Sequence, residues 1–163
     1  MSFQVIPKQN TIPTFDPKAI AVQHIEFYPF GEIYEQEEIT ESVISQILRE
    51  IPEGISIFFF LDPDGETDWL EVVCDGEWLF IGYCFDDGGD IYYSYNPDFA
   101  DSLDLIANAD FSNEETFAPI KSQGQSPIGK VFAMTDIQTG VKAVEYFIRT
   151  GARYPGIDWV QHL

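Results

Sequence analysis

The chain has 163 residues, 45% hydrophobic and 15% aromatic, which is enough for one well-filled domain and too apolar for a disordered chain. Its 28 Asp and Glu against 8 Lys and Arg leave a net charge of −20. No basic footprint remains for nucleic acid or an anionic membrane surface, so both are excluded as direct partners.

The charge is uneven. From Glu26 to Glu115 there are 24 acids and one base, Arg49, whereas the rest of the chain carries 4 acids and 7 bases. Such asymmetry points to a surface that meets something cationic, or to one that only keeps the protein soluble.

Residues 1–18 carry Pro7, Pro13 and Pro17 among polar residues and read as an extended N-terminal arm, with a single domain over 19–163. Met1 to Asn10 lacks an apolar core, so no signal peptide is expected and a cytoplasmic protein follows. Ala19 to Phe27 alternates loosely as a first strand, which Pro29-Phe30-Gly31 interrupts. Thr40 to Ile51 places Val43, Ile44, Ile47, Leu48 and Ile51 on one helical face, with Thr40 as N-cap and Ile39 and Ile44 as a hydrophobic staple. Pro52 and Gly54 end this helix.

Ile55 to Leu61 is apolar on both faces apart from Ser56, the pattern of a central strand, and is far short of the roughly 20 residues that span a bilayer as a helix. Strands over Asp68 to Cys74, Glu77 to Phe85 and Ile91 to Tyr95 follow, separated by the turn signals Asp62-Pro63-Asp64-Gly65, Asp75-Gly76 and Asp86-Asp87-Gly88-Gly89-Asp90. This is an antiparallel meander. A two-residue Asp75-Gly76 turn pairs Cys74 with Glu77 and Cys84 with Thr67. Cys74 then shares a face with Leu79, Ile81 and Tyr83, and Cys84 shares the other with Trp78 and Phe80, so two buried free thiols are expected. Trp69 and Trp78 fall on this second face with Val73 and Phe80, where the second helix is expected to cover them, the alternative being a binding or dimer surface.

Asn96 to Pro127 reads as an irregular connection with a short helical turn at Ser102 to Ala109, and Ile128 to Met134 as an edge strand. Thr135 caps a second helix, Asp136 to Thr150, with Ile137, Val141, Val144, Phe147 and Ile148 inward. Gly140 weakens that helix by about 1 kcal/mol relative to Ala. Gly151 suits the left-handed position after it, and Ile157 to Val160 forms a last strand around Trp159. The fold class is therefore α+β, with an antiparallel meander of four or more strands carrying two main helices.

Chemistry-bearing motifs are missing. There is no G-x-S-x-G, no phosphate-binding glycine loop before a helix, and no ligand spacing around His24 or His162. No cofactor and no metal are expected. Asp62-Pro63-Asp64-Gly65 has its glycine two positions too early for a calcium loop. Acids are so abundant that no pair of them identifies a glycoside hydrolase.

Near the C-terminus, Ala143, Phe147, Thr150, Gly151, Pro155 and Trp159 form a pattern. A helix with inward Ala and Phe ends in Thr-Gly, and a Pro and a Trp-bearing strand follow. It resembles the end of the first immunity protein family of bacterial polymorphic toxin systems. The likeness extends over roughly Ser42 to Leu163. The missing motifs argue against an enzyme, and the resemblance implies an α+β protein. Such a protein would bind and neutralise a cognate basic toxin domain, a nucleic-acid deaminase or nuclease; separately, a monomer or weak dimer is expected.

Alternate turns of a meander lie at the same end of the sheet, so Asp62, Asp64, Glu66 and Asp68 should adjoin Asp86, Asp87 and Asp90. This rim, with no base among its residues, is the candidate partner-binding site. Three alternatives stay open: a nucleic-acid mimic with carboxylates spaced like phosphates, a sugar-binding module exposing Trp69 or Trp78, and a small carboxylate-dependent hydrolase.

Overall fold

The computed structural model describes residues 2–29 and 31–163. Among these, nine strands form one antiparallel sheet: β1 (Phe3–Ile6), β2 (His24–Phe27), β3 (Ile33–Glu35), β4 (Ile55–Phe60), β5 (Trp69–Cys74), β6 (Leu79–Phe85), β7 (Asp90–Ser94), β10 (Ala133–Met134) and β11 (Trp159–His162). Their order is β1-β11-β7-β6-β5-β4-β2-β3, with β10 pairing the start of β6. β8 (Phe117–Ser122) and β9 (Ser126–Gly129) form a separate hairpin. With α1 (Glu41–Glu50) and α2 (Ile137–Thr150), the fold is α+β, and β4 to β7 are the expected meander. No helix among the described residues is long and apolar enough to cross a membrane.

Both faces of the sheet are buried, which is why β4 to β6 read as nearly continuous apolar runs. On the first face Ile57, Phe59, Leu70, Val72, Leu79 and Ile81 pack with Ile44, Ile47, Val144 and Phe147 of the helices. On the second, Val73 and Phe80 pack under Phe117, Ile120, Val131 and Phe132. The helix ends are chemically marked. Thr40 Oγ1 accepts from Val43 N at 3.3 Å, and Gly151 closes α2 in the left-handed conformation, φ 73°. The cap of α2 is Asp136 rather than Thr135, because its carboxylate accepts both the backbone N–H and the hydroxyl of Thr139.

Several expectations are corrected. The first strand after the arm is only His24–Phe27, while within the arm Phe3–Ile6 pairs with β11. Phe30, central to the expected break after β2, lies outside the described residues; the Tyr28–Pro29 bond before it is cis. The last strand is Trp159–His162, two residues later than expected.

The β5–β6 register is shifted by two: Cys74 pairs with Leu79 and Trp69 with Cys84. The Asp75 carboxylate accepts from both Glu77 N and Trp78 N, pulling these residues out of the ladder into a four-residue loop. A shift of two preserves the side-chain alternation, so the expected faces hold; both cysteines are free thiols, but only Cys74 is buried, while Cys84 is half-buried.

The larger correction concerns cover. α2 does not lie over Trp69 and Trp78; it joins α1 on the first face, where the Arg149 guanidinium donates to both Glu41 oxygens, at 2.6 and 2.8 Å. The second face is closed instead by the chain between Pro97 and Phe132. Short 3-10 turns at Pro97–Ser102 and Ile106–Asn108 lead into the β8–β9 hairpin, and the expected Ile128 to Met134 strand is split by another turn at Lys130–Phe132. Two buried polar residues stitch this cover down. Ser94 Oγ donates to Phe132 O at 2.6 Å, and Asn96 Nδ2 to Ala133 O at 2.9 Å.

Candidate functional site

The turns Asp62–Asp68 and Asp86–Asp90 do lie together. Asp86 N donates to Asp68 Oδ1 at 3.0 Å, across the gap between the two loops. The aspartates divide into two groups. Asp62 is internal mortar: its carboxylate accepts from the backbone N–H groups of Asp64, Glu66 and Thr67 and from the Thr67 hydroxyl. Those bonds, led by the one from Asp64 N, hold its carboxyl below the ordinary carboxylate range. Asp68, Asp86 and Asp87 all sit in the left-handed region, φ 54°, 57° and 54°, which Asp tolerates better than most side chains. Asp64, Glu66, Asp86, Asp87 and Asp90 are exposed. Neither loop contains a base.

The residues behind the family resemblance are scaffold. Ala143 and Phe147 are buried on α2, and the Thr150 hydroxyl donates to Tyr146 O and accepts from Ala152 N. Pro155 O accepts from Gln9 N, tying the N-terminal arm down. Trp159, 2% exposed, donates its indole N–H to Tyr154 O at 2.7 Å.

A second feature escaped the sequence reading. Beside the acidic rim, on the second face, a cleft of about 450 Å³ opens between β5–β7 and the β8–β9 hairpin. Trp69, Phe80, Tyr93, Phe111 and Phe117 wall it, and Glu71 is set among them. Glu71 is only 5% exposed; its oxygens accept from Ser122 Oγ at 2.7 Å and Gln123 N at 3.0 Å, at the tip of the hairpin. That tip turns through Gln123 and Gly124, both at positive φ, 52° and 68°. Burial pushes the Glu71 carboxyl above its ordinary value, against the two hydrogen bonds, which lower it. Gly82, opposite Glu71 in the ladder, also lines the cleft, and the Phe80 ring lies against it. The available signal was a lone acid at the centre of an otherwise apolar strand. Trp78 is occupied differently: Phe99 packs against it edge-on, and Lys130 Nζ lies 5.4 Å from its ring centre.

No protein-family model matches this chain, and no curated protein is significantly similar to it in sequence. The site is therefore read from its own chemistry. No three His, Cys, Asp or Glu side chains among the described residues are grouped to hold a metal ion. Glu71 is the one acid lining the cleft among the described residues.

Proposed function

We propose that this chain is an immunity protein that binds a cognate bacterial toxin domain and neutralises it in the cytoplasm through acidic-surface complementarity. The toxin domain is basic and acts on nucleic acid, as a deaminase or nuclease. The observation that carries this reading is the paired acidic loops. Five exposed carboxylates, Asp64, Glu66, Asp86, Asp87 and Asp90, are gathered at one end of the sheet by the bond from Asp86 N to Asp68. Gathered like charges repel, so the arrangement costs stability and calls for a role other than folding. An enzyme that acts on nucleic acid presents a cationic groove, and an acidic rim suits entry into it and speeds encounter. The C-terminal Ala143-to-Trp159 pattern supports the same reading. The cleft also offers one acid where glycoside hydrolysis uses two.

The test uses the basic C-terminal domain of a large secreted protein encoded beside this chain. Co-expression should restore growth of cells making that domain. Asp86, Asp87 and Asp90 changed together to Asn, which also accepts left-handed φ, should slow association clearly more than Asp98, Asp101 and Asp104 changed together. The control residues are exposed and lie at or beyond the opposite end of β7. Added salt should shrink the difference. Equal effects would reduce the rim to net charge, and no effect from either would remove it as the site.

A further inference from the structure

The cleft around Glu71 has features that the acidic rim does not explain. A nearly buried carboxylate is costly to keep ionised unless a cation accompanies it. The ion pairs among the described residues join Arg149 to Glu41 and Glu145, and His24 to Glu26, so none of them involves Glu71. Its two hydrogen bonds, from Ser122 and Gln123, use about half of the acceptor capacity of a carboxylate. Gly82, opposite Glu71, lets the Phe80 ring lie flat on the sheet as part of the aromatic wall: a Cβ there would lie 3.0 Å from Phe80 Cζ and 3.7 Å from Tyr93 Cδ1.

We propose that this cleft seats one arginine side chain of the protein partner, with its guanidinium on the Glu71 carboxylate and its aliphatic stem between the aromatic walls. The proposal rests on the toxin-binding reading for the partner's identity only. Arginine fits better than lysine, because a planar, weakly hydrated guanidinium stacks on aromatic rings, whereas a compact ammonium is costlier to strip of water. The occupant belongs to a macromolecule for two reasons. Phe111, 68% exposed, stands in the cleft wall as an apolar surface awaiting cover. The cleft is also continuous with the rim. Trp69 and Ile91 line it and directly adjoin Asp68 and Asp90, so the field that draws a basic surface to the rim delivers its side chain to the cleft.

The experiment titrates the full chain with acetyl-Gly-Arg-Gly-amide, its citrulline counterpart and agmatine, following the Trp69 indole and the Gly82 and Gln123 amides by NMR. The arginine peptide should shift all three signals saturably and bind at least tenfold more tightly than the citrulline peptide. Glu71→Gln, which keeps an acceptor for Gln123 N, should abolish that preference. Phe111→Ala, at a position 68% exposed, should weaken the arginine peptide several-fold while the amide spectrum away from the cleft stays unchanged. Equal binding of the arginine and citrulline peptides would overturn the proposal, as would shifts confined to the rim residues. Tighter binding of agmatine than of the peptide would assign the cleft to a free small cation and overturn the partner side chain. None of these failures touches the rim reading, which is tested separately with the toxin domain.

Discussion

Gly140→Ala should destabilise this protein, although helix propensity alone gives the opposite sign. Replacing a mid-helix glycine by alanine ordinarily gains about 1 kcal/mol. Gly140, however, lies directly against Leu79 of β6. A Cβ built there falls on Leu79 Cδ2, with Leu79 Cγ at 3.3 Å and Met134 Sδ at 3.4 Å. Leu79 is completely buried, so rotating its methyl away only moves the collision elsewhere in the core. Overpacking of this kind costs about 1–3 kcal/mol, and the position of the clash argues for the upper half of that range. The net result is a loss of about 1–2 kcal/mol, read as a lower urea midpoint with unchanged slope. The cause is checked by a double-mutant cycle. In a Leu79→Ala background the collision is gone, and Gly140→Ala should then stabilise by about 1 kcal/mol. A Gly140→Ala protein as stable as the parent, or more so, would refute the argument, and so would the same sign in both backgrounds.

Four further outcomes are expected. Glu71→Ala should cost about 1–3 kcal/mol, because it strands the Ser122 and Gln123 donors, and hydrogen exchange should quicken at the β8–β9 tip. Glu71→Gln should instead gain relative to the parent as pH rises. The folded carboxyl titrates above its unfolded value, so its contribution is full below about pH 4.3 and is lost as pH climbs through the folded pKa; urea midpoints at pH 4 and pH 8 measure this, and an equal difference at both would refute it. With 24 acids and one base between Glu26 and Glu115, the melting temperature should rise with salt up to about one molar, and a flat or falling curve would show the charges already balanced. Asp136→Ala should remove the cap of α2 at a cost of about 1 kcal/mol, seen as a fall of about 2–4 °C in melting temperature.

What was legible in the sequence is what neighbouring residues decide among themselves. The ends of α1, the left-handed Gly151, the meander from Ile55 to Tyr95 and the approach of the two acidic turns all follow from periods, caps and turn residues within a few positions of each other. The alternation of β6 even survived a wrong turn length, since the register moved by two. The rest depended on partners far along the chain. The composition of α2 does not encode which side of a sheet apolar on both faces it will cover. The stretch from Pro97 to Phe132 looked irregular because Pro119 and Pro127 interrupt strand patterning and the hairpin ladder is itself irregular between Phe117 and Lys121. Its role as the lid of the second face comes from the bonds of Ser94 and Asn96 to Phe132 and Ala133, 37 to 38 residues away. Gly140 shows the division most directly. The local sequence assigns it a helix penalty, and only the packing of Leu79 beneath it turns that penalty into a requirement. Glu71 is the same case in polar form. In sequence it is one acid among twenty-eight, and it becomes distinctive only when the sheet, the hairpin tip and the aromatic walls enclose it, because solvation of a charge is a property of everything around it.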